Sequence, residues 1–387
     1  MATIKVRYFP ALTGLRAWAI WLVILDHWVD GMHDYGMVGN AGVSLFFVLS
    51  GFLISRILLI EKQRVDLSEE PTSLRRFITP FLRRRAWRIF PIYFLALTVL
   101  LVTGDSVIWH QGIPFFTYTA NFFLVIHPVP HLDHLWSLSV EEQLYILMPF
   151  LIWLTPSQQL PKLGLILIII SLFYRGSSYL LFPAAIWWPA SYCLLPGCLD
   201  GYGIGLLVAW YWLYKPEKSQ SFFNSSILLN SLFIAWPSVI LAGLLWQLTG
   251  RGLFYSPGMA AGLRFTVSLY GGYLVGYCHQ PLGVLGRLLL LNPVCQYIGR
   301  ISYGLYLYHN LIFTIHTPQQ SYGRLAWLRA ADILHISSAN GLTEIVFYSV
   351  LLICIATLSW FLIEKPLLGH THKKSISIKA TLTTSVD

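Results

Sequence analysis

Apolar residues run through this chain in long stretches, rather than in the short alternations of strands or the one-sided stripes of soluble helices. At about 20 residues per membrane span, the stretches lie near 14–33, 42–60, 88–103, 136–155, 163–182, 191–213, 226–248, 258–278, 300–316 and 342–363. The pattern predicts an all-α, polytopic membrane protein with about ten transmembrane helices. The last span is the purest, since Ile345 to Ile363 carries no charged side chain over 19 residues. The connection 61–80 mixes acidic and basic residues and predicts a short surface helix ending at Pro80. The stretch 104–135 is rich in aromatic residues and contains Pro, and reads as an outer loop with a re-entrant or interfacial segment. A second sizeable outer loop is expected at 317–341.

Composition sharpens this. Of 387 residues, 56% are hydrophobic and only 11% charged, against roughly 25% charged in an ordinary globular domain. A water-facing surface cannot be built from so few charges, and disorder, a collagen-like fibre and a disulfide scaffold are excluded by the same numbers. The net charge of +9 is explained by where the basic residues sit. Lys62, Arg64, Arg75, Arg76, Arg83, Arg84, Arg85 and Arg88 crowd the connection after the second span, whereas Ile89 to Pro161 holds no Lys or Arg. By the positive-inside rule that connection is cytoplasmic. Threading ten spans puts both termini inside, where Lys5, Arg7, Lys373, Lys374 and Lys379 agree. A nucleic-acid partner is not required. The expected organisation is a membrane-embedded domain over 1–366 and a disordered, basic cytoplasmic tail over 367–387, in a multi-pass protein of the cell membrane (the inner membrane in a bacterium). The first apolar stretch, interrupted by Arg16, Asp26 and His27, is expected to stay as a span rather than be cleaved as a signal peptide. Cys193, Cys198, Cys278, Cys295 and Cys354 fall in apolar segments without metal or redox spacing and read as small hydrophobes.

Ionisable groups inside spans cost roughly 2.5–3.5 kcal/mol each at the bilayer centre, so those that persist usually face a cavity or a partner. Here they are grouped. Arg16 and His27 are eleven positions apart, roughly 16 Å along a helix and close to three turns, so they share a face. His27 near mid-membrane is either a tie between helices or a group that takes a proton from a hydroxyl or carries an acyl group on nitrogen. Arg83, Arg84, Arg85 and Arg88 open the third span with no Lys among them, which reads either as a topology signal or as a phosphate site, since Arg suits bidentate contact with phosphate oxygens. The fourth span opens with Ser137-Leu-Ser-Val-Glu141-Glu142-Gln143. Ser139 and Glu142 have capping-box spacing, whereas Glu141 has no such structural reason, and Ser137 lies one turn before it. Gly39 to Gly51, with Ser44 and Ser50, reads as close helix packing by small residues. Ser302, Tyr306 and His309 fall near one face of a later span. His127, His131 and His134 lie in a loop without ligand spacing, so no metal is expected. Arg175 and Arg264 fall in apolar segments with no role assigned.

These motifs resemble the acyltransferase type 3 family of integral membrane acyltransferases. The likeness rests on Arg16-x10-His27, Gly42 to Ile54, the pattern Phe81-x3-Arg85-x2-Arg88-x2-Pro91, Ser137-x3-Glu141, Ser302-Tyr303 to His309, and Glu364-Lys-Pro366, in order. It implies ten core helices, an acyl-coenzyme A donor (commonly acetyl-CoA) with no resident cofactor, and an acceptor hydroxyl on a carbohydrate, a lipid-linked glycan or another envelope molecule. It implies His27 as central to catalysis, with Glu141 and Ser137 functional, and Arg85 and Arg88 as donor-binding groups. Arg16 and His309 are added as substrate-binding candidates. Many members carry a soluble hydrolase-like domain after the last core helix, and a stand-alone form is expected here. The corresponding mechanism has the Arg pair gripping the donor's phosphates at the cytoplasmic edge, the pantetheine arm threading inward to His27, and the acceptor approaching from the Glu141 side. The rival reading is a transporter or flippase of an envelope precursor, which moves its ligand without cleaving a thioester.

Overall fold

The computed structural model describes residues 9–29, 38–68, 72–223, 257–312 and 341–368, and all regular structure among them is helical. The expected span 226–248, most of the outer loop 317–341 and most of the tail lie outside the described residues. Among the described residues four helices are long and apolar enough to cross a membrane, namely Val38–Asp66, Leu74–Val102, Ser157–Leu181 and Thr343–Leu368, and a bent pair, Trp187–Cys193 with Leu195–Tyr214, makes a fifth if it is one broken span. The protein is thus a multi-pass membrane protein.

The chain divides into two compact units. The first holds α1 (Pro10–Trp28), α2 (Val38–Asp66), α6 (Ala120–Ile126), α7 (Leu135–Leu154), α8 (Leu160–Leu181), α9 (Trp187–Cys193), α10 (Leu199–Tyr214), α11 (Pro216–Phe223), α12 (Pro257–Tyr277), α13 (Val284–Leu290) and the start of α14 (Pro293–Ile312). The second holds α3 (Leu74–Val102), α4 (Ser106–Gln111), α5 (Ile113–Phe116), the rest of α14, and α15 (Gly341–Ser359) with the π-helical turn Trp360–Glu364 that follows it.

In the first unit α2 is central, packed on α1, α10 and α12. Its seam with α10 is built from glycines. A Cβ on Gly51 would lie 2.6 Å from Tyr202 Cα, and one on Gly205 would lie 2.3 Å from the Phe52 backbone nitrogen. Backbone atoms cannot yield as side-chain tips do, so only hydrogen at these positions permits the approach. The small-residue reading of 39–51 holds for the glycines.

The bend between Trp187–Cys193 and Leu195–Tyr214 explains two arginines. A helix break inside a membrane exposes backbone carbonyls that no water satisfies, so side chains must take them. Arg264 donates to the Tyr192 carbonyl (2.8 Å), Arg175 to that of Gly197 (3.0 Å), Asn121 to that of Cys193 (3.4 Å) and Tyr174 to that of Ala190 (3.2 Å). Arg175 also pairs with Asp200 at 2.9 Å, both side chains almost wholly buried. Asp200 lies in the first turn of α10, where the helix dipole favours an anion.

In the second unit the start of α3 corrects the expected surface helix ending at Pro80. α2 continues to Asp66, and α3 begins at Leu74, capped by the Ser73 hydroxyl on the Arg76 N–H, and runs through both Pro80 and Pro91. The bond that Pro80 forfeits is to the carbonyl of Arg76, an exposed residue where water can substitute. The stretch 104–135 is also more regular than a loop, since it forms α4, α5 and α6. Asp105 caps α4 through the Val107 and Ile108 N–H groups and accepts from His131 at 2.8 Å. Burial pushes its carboxyl up, but the His131 bond and the two backbone bonds together hold it below the ordinary carboxylate range.

Candidate functional site

His27 lies in the last turn of α1, and its Nδ1 is 2.8 Å from the Val23 carbonyl. A carbonyl only accepts, so Nδ1 carries the proton and the neutral ring keeps its lone pair on Nε2. That nitrogen faces Asp133 Oδ1 at 3.9 Å, with the His27 side chain 19% and the Asp133 side chain 41% exposed. The arrangement offers a base on Nε2 with a carboxylate placed to stabilise the imidazolium that forms when it takes a proton. Asp26, next to His27 in sequence, does something else. It is buried and accepts the Gly39 N–H at 3.0 Å, fastening the end of α1 to the start of α2. Arg16 lies eleven residues earlier on the same unbroken α1, half-buried, so the shared face expected of Arg16 and His27 follows from the helix.

A second cluster forms around Glu141. Its Oε1 accepts from the Ser50 hydroxyl at 2.7 Å and from the Tyr145 hydroxyl, and those two hydroxyl oxygens are 3.2 Å apart. Tyr145 is one turn after Glu141 on α7, while Ser50 comes from the middle of α2. Ser50 is therefore a functional candidate that the packing reading of 39–51 missed. Ser137 donates to the His134 carbonyl at 3.0 Å, so its proton goes to its own helix start. The capping box expected of Ser139 and Glu142 is not formed. α7 begins at Leu135 with His134 as its N-cap, and Ser139 donates to the Leu135 carbonyl inside the helix. Glu142 is instead a buried side chain in the body of α7. Gln143 donates to the Tyr118 carbonyl and to Asn121, each at 2.9 Å, which fixes α6 against α7.

Aromatic side chains wall this region. Arg264, on α12, is buried with its guanidinium carbon 4.5 Å from the Tyr192 ring centroid, 5.6 Å from that of Phe47 and 5.8 Å from that of Trp136. Phe47 packs in turn against Tyr202 on α10, with ring centroids 6.0 Å apart. Aromatic faces are a favourable setting for a guanidinium removed from water.

In the second unit, Arg84, Arg85 and Arg88 all lie on the continuous α3, so the expected three- and four-residue pairings hold. Arg84 is exposed, Arg85 and Arg88 are half-buried, and Arg85 sits over the Phe81 ring at 5.6 Å. His309 is wholly buried on α14, its Nδ1 2.7 Å from the Tyr306 carbonyl, with Ser302 also buried on that helix. Of the loop histidines, His131 is engaged by Asp105. Among the described residues no group of three His, Cys, Asp or Glu side chains could hold a metal ion.

Comparison with known proteins agrees with the sequence resemblance. The profile of the acyltransferase domain family matches residues 9–364. The chain is 27% identical to the peptidoglycan O-acetyltransferase OatA of Listeria monocytogenes, over 93% of this chain and 56% of that protein. It is 27% identical to YrhL of Bacillus subtilis, provisionally described as a peptidoglycan O-acetyltransferase, over 93% of this chain and 55% of that one. A provisional O-acetyltransferase of Staphylococcus aureus aligns at 27% identity over 79% of this chain and 50% of its own length. The chain thus spans about half the length of the relatives it matches. No solved structure matches it.

Proposed function

The chain belongs to the acyltransferase domain family, and from that premise we propose that it is a membrane-bound O-acyltransferase moving an acyl group, acetyl in the first instance, from cytoplasmic acyl-CoA to a hydroxyl of a cell-envelope carbohydrate. The observation that carries the proposal is the His27 ring, whose Nδ1–H is held by the Val23 carbonyl and whose Nε2 faces Asp133. A ring nitrogen that carries its lone pair at that position serves either of two chemistries. It takes the proton of the acceptor hydroxyl as the C–O bond forms and the C–S bond breaks, and returns it to the departing thiolate. Or it first accepts the acyl group from sulfur, releasing the thiolate, and in a second step passes it to the hydroxyl, whose proton goes to the Glu141 carboxylate and on to the thiolate as the ring nitrogen is freed. Glu141, with Ser50 and Tyr145, assists on the acceptor side in either case.

Arg85 and Arg88 take the phosphates of coenzyme A in this proposal, because guanidinium groups one turn apart suit phosphate oxygens. Ser137 is assigned with Glu141 to the catalytic group on the family resemblance, and Arg16 and His309 are assigned to substrate binding. The acceptor is placed among envelope glycans because the Listeria monocytogenes and Bacillus subtilis relatives are described as peptidoglycan O-acetyltransferases.

The test is the reconstituted full chain with acetyl-CoA, following free thiol, paired with mass spectrometry of envelope glycans from cells with and without the intact protein. His27→Ala is expected to abolish thiol release while the protein still folds. A folded His27→Ala protein that transfers at the wild-type rate refutes the assignment, and ligand movement without thiol release points to the transport reading.

A further inference from the structure

Between α12 and α14 the chain forms α13, and none of its side chains is buried. Among the described residues Val284, Leu285 and Leu288 are 68%, 69% and 65% exposed, and Leu289 is 42% exposed. At about 100° per residue these four fall on one arc of about 140°, and Arg287 lies about 60° outside it. The opposite side is pressed on α1, where a Cβ on Gly14 would collide with the Leu290 backbone. Trp18 and Leu25, two turns apart on one face of α1, carry the exposed apolar surface onward. A patch of this size on a short connection needs a cover.

The carbonyls show what surrounds it. The last four carbonyls of a helix have no partner inside the helix, and water ordinarily serves them. Here all four are taken by the protein. The Leu291 N–H donates to the Arg287 carbonyl at 2.9 Å, the Asn292 amide to that of Leu288 at 2.7 Å, the Trp18 indole to that of Leu289 at 3.1 Å, and the Gln296 amide to that of Leu290 at 2.7 Å. Gln296 also donates to the Pro10 carbonyl at 2.8 Å, which ties this helix end to the foot of α1. Three side chains spent on the end of one short helix suit surroundings that hold no water. Depth agrees, because Gly14 and Trp18 stand about 6 Å and 12 Å along α1 from its first residue, and an indole is at home where headgroups meet acyl chains.

We propose that α13 is an interfacial helix sunk into the leaflet at the Pro10 end of α1, with the Val284, Leu285, Leu288 and Leu289 arc among acyl chains and Arg287 reaching the phosphates of the headgroups. In the topology expected from the basic residues this is the cytoplasmic leaflet. The partner is phospholipid, not protein. The contact is fastened to α1, the helix that carries His27, and it holds whether or not the chain is a transferase.

The test places p-benzoylphenylalanine at Leu288 of the full chain, reconstituted into vesicles of phosphatidylethanolamine and phosphatidylglycerol. Lys218, an exposed residue of α11, serves as the comparison position. After illumination, mass spectrometry reads what the benzophenone has inserted into. The peptide carrying position 288 is expected to gain the mass of one phospholipid, attached on an acyl chain, roughly fivefold or more above the yield at position 218. The same result is expected at Leu285. A link to another part of the chain, or to a second copy, means that protein covers the arc and overturns the inference. Adducts confined to the headgroup overturn it too, as do adducts no more frequent than at Lys218. Tm in detergent is expected to match wild type at both positions, and a fall at both would mean that the arc is packed on protein.

Discussion

Replacing Asp133 with Asn tests whether the carboxylate facing His27 acts on the ring. The change keeps size and removes charge. At the observed 3.9 Å, two unit charges attract by about 4 kcal/mol at an effective dielectric of 20 and by about 1 kcal/mol in bulk water. The Asp133 side chain is 41% exposed, which places the interaction toward the lower bound, at about 1–2 kcal/mol after solvent screening. If the imidazolium develops only as the reaction proceeds, that energy appears in kcat and not in KM, as a fall of roughly fivefold to thirtyfold. The assay is thiol release from acetyl-CoA as a function of donor concentration, for Asp133→Asn, Asp133→Glu and His27→Ala. Asp133→Glu should restore part of the loss, which a purely structural role would not produce. Wild-type kcat in Asp133→Asn, beside an inactive His27→Ala, would show that the carboxylate has no influence on the ring.

Two further expectations follow from other parts of the molecule. Gly51→Ala drives a methyl group to 2.6 Å from the Tyr202 Cα, and overpacking of that kind costs about 1–3 kcal/mol. Thermal unfolding in detergent should show a lower Tm, and an unchanged Tm would mean that the α2–α10 seam is not tight. Asp105, held below the ordinary carboxylate range in the fold, stabilises fully above its unfolded value of about 4 and loses that contribution as pH falls through its lower folded value. Asp105→Asn should therefore lower Tm near neutral pH, with the gap to wild type closing in strong acid, and a gap independent of pH would contradict the sign.

The helical class was legible, and so were the four or five described helices long and apolar enough to cross a membrane, because hydrophobic run length is a local property of the chain. So were His27 and Glu141, as ionisable groups where apolar residues were expected. Their partners were not. Ser50 is 91 positions from Glu141, and a serine among Phe, Leu and Gly looks like packing until another helix brings a carboxylate to it. Asp133 sits in a connecting stretch, where an acidic residue raises no question. Pro80 misled in the opposite direction, because a helix-breaking residue is tolerated when the carbonyl it strands belongs to an exposed residue. Arg175 and Arg264 stood out without a role because the carbonyls they serve belong to a helix break that apolar run length does not mark.

That break bears on how the protein is made. Most carbonyls of the bend are taken by residues that precede it, but the Tyr192 carbonyl takes its charged donor from Arg264, 72 positions further along the chain. Until the later helix is synthesised, that carbonyl has only the weak Cys198 thiol as a donor, at 3.5 Å. Assembly of the first unit accordingly has an imposed chronology, with α9 and α10 waiting for α12. A chain truncated before residue 264 should be recognised by quality-control proteases even though every apolar segment preceding the cut is intact.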